Sequence, residues 1–416
     1  MAEVQPQDIL LRVGGLNRQG IVAGTRRTEE HKESFTRATV KRAFRDRDGN
    51  ARRASAGSLA LDWPTGLVDA AGNPIGGPLS EGARNQLVTD PENFGAWTTA
   101  GTIAVTGGQA DPFGGTSAYL LDSNTPNTND GVLQNITFTG NATKACAFFM
   151  RAGTSSLTRI TVKGAAIRHE ILATWTAGVP SLATASGGGA LFAVVPWGAG
   201  WYRLAVNANG VLAADTNSLR FDPDANGGGG TVYVFGANAW NAPFPQSYQA
   251  PGEATGVADA LTTPFNFGPL PEMTVLVRLG RPLHADAGAA TALGVSPGIF
   301  SFGAGSAARI GAYFDPAARN IISVIDTGTT DATQTTPIPA GNPVICIQYR
   351  NLTTGGSTAL DVGSGMTAFS SAATAFSAFS SQTLRVGRYD DELYGVVGEM
   401  VVARGLRTRT EMLAIP

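Results

Sequence analysis

Short β-forming runs broken by turn residues constrain this chain more than any other feature. Between residues 79 and 250 the runs are Ile103 to Thr106, Gly131 to Thr139, Lys144 to Arg151, Thr158 to Val162, Trp201 to Val206 and Thr231 to Phe235. Beyond residue 250 a second set follows: Met273 to Leu279, Gly298 to Phe302, Ala308 to Phe314, Asn320 to Ile325, Pro343 to Tyr349, Thr358 to Val362, Thr383 to Gly387 and Val396 to Val402. Many short strands at this spacing predict antiparallel sandwiches, because a parallel sheet would need a helical crossover between successive strands. The 53 Gly and 23 Pro among 416 residues fall short of the roughly 25–30% that marks disorder, so they are read as turns. The expected fold is all-β, with two antiparallel sandwiches of the jelly-roll type in tandem.

At 416 residues the chain is long enough for two cores, and the polar, turn-rich segment Gln249 to Gly256 reads as the linker between them. The expected units are 79–250 and 251–416, preceded by an N-terminal arm with hairpins over 1–78. In that arm Ile9 to Val13 reads as one strand, and a lone strand is not stable by itself. An arm pairing with a neighbouring subunit would meet this need. Ten Lys or Arg lie between Arg26 and Arg53, interspersed with five acids. The pattern reads as a solvated, extended arm, with an acidic protein or packaged nucleic acid as the other partners it could serve. The net charge of −2 gives the whole chain no pull toward nucleic acid or acidic membrane. No run of 18 apolar residues and no secretory signal pattern occurs, which predicts no membrane span and production in a cytoplasm.

Reactive chemistry is sparse. Cys146 and Cys346 sit inside apolar runs and read as buried free thiols. His31, His169 and His284 are scattered without metal-ligand spacing, and no Glu-x-Asp-x-Glu strand sets paired carboxylates on one face. The chain therefore reads as non-enzymatic. One loop has ligand chemistry: Asp222, Asp224 and Asn226 precede Gly227 with the spacing of the first half of a calcium loop. Position twelve is Tyr233, so the bidentate carboxylate is missing, and Gly228 to Gly230 read equally as an ordinary hairpin loop. Calcium is the one cofactor considered. Among the six tryptophans, Trp97 and Trp201 read as core, while Trp175 and Trp197 lie in turn-rich surroundings and are the candidates for stacking on a sugar ring.

Three motifs carry a resemblance. Ser34-Phe35-Thr36-Arg37 through Arg45-Asp46-Arg47-Asp48-Gly49-Asn50 to Arg84-Asn85-Gln86-Leu87 and Glu92-Asn93-Phe94 is the first. Gly200-Trp201-Tyr202-Arg203 is the second, and Val232 to Ala237 followed by Ser247-Tyr248 is the third. Their order resembles the minor virion proteins of tailed bacteriophages, which carry carbohydrate-binding-module-like jelly rolls. Relatives read Arg-Thr-Asn-Leu where this chain has Arg84-Asn85-Gln86-Leu87. The end of the chain, from Leu384 to Glu411, is similar to the close of a laminin-G or concanavalin-like sandwich. There Thr408 and Glu411 have capping-box spacing for a short helix. The resemblance implies a structural protein on the virion, as decoration, tail fibre or adhesin. Its implied partners are other virion proteins, its own subunits, most readily as a trimer, and host surface glycans. A purely architectural capsid or tail protein and a glycan depolymerase remain the alternatives.

Overall fold

In the computed structural model, the structure describes residues 9–14, 34–36, 42–46, 48, 50–54, 61–62, 67–68, 72, 74–80, 86–124, 129–139, 142–163, 168–186, 191–211, 217–241, 248–251, 260–265, 272–280, 297–303, 309–315, 318–326, 331–352, 355–370, 382–386, 393 and 395–414. The first sandwich is two six-stranded sheets. One runs, edge to edge, Val179–Ser186, Arg168–Thr176, Leu157–Lys163, Asn217–Asp222, Gly131–Ile136 and Thr98–Ala100. The other runs Leu191–Pro196, Trp201–Val211, Ala142–Ala152, Gly230–Trp240, Ala118–Ser123 and Ile103–Gln109. Alternation along each strand builds the core between them. Cys146, Phe148 and Met150 point in from one sheet, and Ile160, Val162, Leu219 and Phe221 point in from the other.

The second sandwich packs Met273, Val275 and Val277 of Glu272–Leu279, with Ile345, Ile347 and Tyr349 of Val344–Leu352, against Ile310, Ala312 and Phe314 of Arg309–Asp315. Its first sheet is covered on the outside by the short helix Arg409–Leu413, whose Met412 packs on Leu276, Cys346 and Val401. The capping box expected there is present: Thr408 Oγ1 accepts from the Glu411 backbone N–H, and the Glu411 carboxylate accepts from Thr408 N–H. Across this sheet's outer surface Arg278 and Glu399, directly opposed in the ladder, form an ion pair at 2.8 Å that is almost fully buried.

The lone strand of the N-terminal segment finds its partner within the chain. Ile9–Gly14 pairs with Gly395–Arg404, and Gly77–Ser80 pairs with the start of the same strand. Ser34–Thr36 adds an edge to the facing sheet by pairing with Ala260–Phe265. Between these, the hairpin of Arg42–Arg45 and Ala51–Ala54 instead reaches the first sandwich, through Ala51 and Arg53. Arg26 to Glu33, Glu81 to Asn85 and Gly252 to Gly256 lie outside the described residues.

Both cysteines are free and buried, as their apolar surroundings imply. Burial pushes both thiols up to about 12. Neither Cys146 nor Cys346 is therefore expected to react with a thiol reagent such as DTNB in the native protein at pH 8, and both should react once urea unfolds it. Native labelling at either site would show that its strand opens on the timescale of the assay.

Candidate functional site

The two outer faces of the first sandwich differ in chemistry. One is aromatic: alternation on Ala142–Ala152, Trp201–Val211 and Gly230–Trp240 turns Phe149, Trp201, Tyr233 and Phe235 outward. Arg151 stacks over Tyr233 at 4.0 Å and over Trp201 at 5.2 Å. Tyr248 closes on this face, and Arg53 of the N-terminal hairpin stacks over Phe113 at 4.6 Å and Tyr248 at 5.0 Å. Glu92 then ties the cover down, accepting from Arg53 at 2.9 Å and from the Tyr248 hydroxyl. Apart from the half-buried Phe113 and Tyr233, the rings of this cluster are buried.

Three motif positions acquire physical reasons here. Gly236 sits at a bulge where two residues of its strand oppose Phe148, with φ +59. A Cβ there would lie 2.6 Å from the Tyr248 ring. The bulge also flips the strand's alternation, so that Ala237 and Ala239 point inward where Tyr233 and Phe235 pointed out. Gln86 works as a side-chain strand. Its Oε1 accepts from the backbone N–H of Leu87, Val88 and Ala239, and its Nε2 donates to Ala237 O. Gly200 has φ +75 and leads Trp201 back under Arg151.

Neither tryptophan expected at the surface is there. Trp175 is 8% exposed and donates from Nε1 to Thr158 Oγ1 at 3.0 Å, inside the core. The turn-like residues around it are a two-residue hairpin, Ala177 and Gly178 at φ 50 and 82, and the strand Arg168–Thr176 runs up to it with Trp175 on the inward side. Trp197 is 5% exposed and packs edge-on to Phe149, with ring centroids 5.0 Å apart, within the aromatic cluster. No indole face at either position is open to a sugar ring.

The other outer face is polar and half open. Strand pairing sets Leu133, Arg220, Thr161, Glu170 and Ser186 in one row across five strands. A neighbouring row carries Asp222, Arg159 and Leu172, and the row on the other side carries Asn135, Ser218 and Lys163. Asp222, the first candidate calcium ligand, is fully buried here. Arg159 Nε donates to its Oδ2 at 2.8 Å, and Arg220 Nε donates to its Oδ1. The other two candidates turn elsewhere. Asp224 accepts from the backbone N–H of Asn226 and Gly229, while Asn226 Nδ2 donates to Ser156 Oγ at 3.2 Å. Protein donors thus occupy both carboxylates, and no group of three or more His, Cys, Asp or Glu that could hold a metal occurs among the described residues. His169 is buried, whereas His31, His284 and the acidic run from Asp390 to Glu392 lie outside the described residues.

At the centre of the face Thr161 is only 2% exposed, and its hydroxyl has no hydrogen-bond partner. Burying such a group unpaired costs roughly 1–3 kcal/mol, so it weakens the fold unless something else makes use of it. Glu170 accepts from Ser186 Oγ at 3.0 Å and lies 3.7 Å from Arg159. Sequence reasoning passed over this face although its signal was present. Arg159, Thr161 and Lys163 alternate with Ile160 and Val162, and Ser218, Arg220 and Asp222 alternate with Leu219 and Phe221. Period two with charge on the outer positions marks a sheet face that meets water.

No protein-family model matches the sequence. No curated protein matches it either. Among solved structures, 35% of the chain superposes on 82% of a Ruminococcus gnavus IT-sialidase CBM40 bound to α2,6-sialyllactose, at 14% identity and a TM-score of 0.26. A second structure of that R. gnavus module aligns at the same identity and TM-score over 83% of its length. A likeness this weak transfers neither a family nor a ligand to this chain.

Proposed function

We propose that this chain is a non-catalytic structural protein of a tailed-phage particle that holds host surface glycan on the polar face of its first sandwich. The observation that carries the glycan reading is the row from Leu133 to Ser186. It places arginine, hydroxyl and carboxylate groups side by side on a rigid sheet, with a buried hydroxyl left unpaired at the centre. Sugars present adjacent hydroxyls, and a flat array of fixed donors and acceptors is what recognises them. The carboxylates of this face support binding over hydrolysis. Asp222 is locked between two guanidiniums, and Glu170 accepts from Ser186, which favours a holding role over that of a glycosidase acid or nucleophile. Placement on a virion rests on the motif resemblance, as does assembly into a symmetric oligomer, in which many weak sites would act together.

The test is biolayer interferometry of the full chain over immobilised surface polysaccharide of the bacterial host. Reversible binding that is lost in an Arg220→Gln variant is the expected result. Absence of binding, with the protein sealed between other subunits in a particle reconstruction, would leave a purely architectural role. Release of reducing ends would instead make it a depolymerase.

A further inference from the structure

On the polar face both acidic side chains have protein partners, while two basic side chains keep donors to spare. Asp222 accepts from Arg159 and Arg220, and Glu170 accepts from Ser186 through Oε2 while its Oε1 lies 3.7 Å from Arg159, beyond hydrogen-bond distance. The two basic side chains keep donors without a protein partner. Lys163 is exposed and has no protein partner. Arg220 uses Nε on Asp222 and one terminal nitrogen on Asn129 O, which leaves its other terminal nitrogen without a protein partner.

Register puts these groups together. Arg220 pairs with Thr161, and Ser218 pairs with Lys163 on the same two strands. Residues two apart share a face, so the four side chains stand at the corners of one patch, about 5 Å across the strands and ~7 Å along them. The cations occupy one diagonal, and the hydroxyls of Thr161 and Ser218 occupy the other. Thr161 adds an independent sign of an intended occupant, because its hydroxyl is buried and unpaired.

Building on the glycan reading, we propose that this patch recognises an oxyanion carried by the sugar, as in a uronate or a sulfated glycan. Arg220 offers a charge-assisted donor, Lys163 a point charge, and Thr161 with Ser218 the hydroxyl contacts. A neutral sugar would satisfy the hydroxyls and leave Lys163 and the spare Arg220 nitrogen without an anionic partner.

Isothermal titration of the full chain with polygalacturonate, dextran sulfate, neutral galactan and polyglutamate tests this. Binding to one or both of the acidic polysaccharides, and to neither galactan nor polyglutamate, is expected. The preference between the two names the carboxylate or the sulfate. Lys163→Gln, which breaks no protein contact, is expected to weaken that binding about tenfold. Thr161→Val is expected to weaken it too while raising the melting temperature, since it removes an unpaired buried hydroxyl. Galactan bound as tightly as the acidic polymers, with both variants unchanged, overturns the oxyanion proposal and leaves glycan binding standing. Polyglutamate bound as tightly overturns it as simple charge attraction. No binding to any polysaccharide removes both readings.

Discussion

Asp222→Ala is expected to destabilise the first sandwich by about 3 kcal/mol, near the lower end of what breaking a buried ion pair costs. The carboxylate is fully buried, while its two arginine partners keep 15% and 20% of their side-chain surface exposed, so water recovers part of the loss. Without it, two guanidiniums on the strands Leu157–Lys163 and Asn217–Asp222 lose the carboxylate they share, and Glu170, 3.7 Å from Arg159, remains as the nearby acid. Asp222→Asn should recover part of the loss, because the amide oxygen still accepts one N–H. Urea unfolding followed by tryptophan fluorescence measures both variants. The same experiment separates this role from the calcium loop suggested by the sequence, since an ion-pair anchor gives curves that millimolar calcium and a chelator leave unchanged. An alanine variant as stable as the parent would show that the arginines find other acceptors.

Gly236→Ala is expected to cost about 2–5 kcal/mol, from two causes. A residue with a side chain is held in the left-handed region at φ +59, and its new methyl group is driven into the Tyr248 and Phe149 rings. The effect should spread beyond the strand. If Tyr248 is displaced, its bond to Glu92 breaks and Arg53 loses one of its two stacking partners. Proteolytic cleavage in the N-terminal hairpin should therefore accelerate in this variant. A double-mutant cycle with Tyr248→Ala isolates the larger collision, because the second substitution removes the tyrosine ring and leaves the backbone strain and the lesser crowding against Phe149. Additive effects in that cycle would mean that the tyrosine does not read the glycine at all.

The sequence disclosed the class of fold because alternation and turn chemistry are local. Ala142–Ala152 and Gly230–Trp240 show their two faces in the order of their residues, and the capping box at Thr408 is a four-residue pattern. What stayed hidden depends on partners far away. Trp175 read as exposed because Ala177-Gly178 does not look like the Asn-Gly of a tight hairpin, although it adopts the same left-handed pair of conformations. Trp197 read as exposed because the glycines around it gave no hint that Phe113 and Phe149 would enclose it. Asp222 read as a cation ligand from its neighbours in the loop, when its partners are Arg220 on its own strand and Arg159, brought beside it only by strand pairing. The polar face was visible as alternation on each strand, but the row across five strands exists only once register is set.

The pairing of Ile9–Gly14 with Gly395–Arg404 also orders events during synthesis. The described strands of the first sandwich lie between Thr98 and Trp240, and Tyr248 follows soon after, so it can close once that stretch leaves the ribosome. The second sandwich must wait, because Val13 is made well before its ladder partner Met400. Through that interval a bare strand edge is available to any other nascent chain nearby, which is the condition under which strands pair between molecules. Translation speed over the stretch up to Gly395–Arg404 therefore sets how long that edge stays bare.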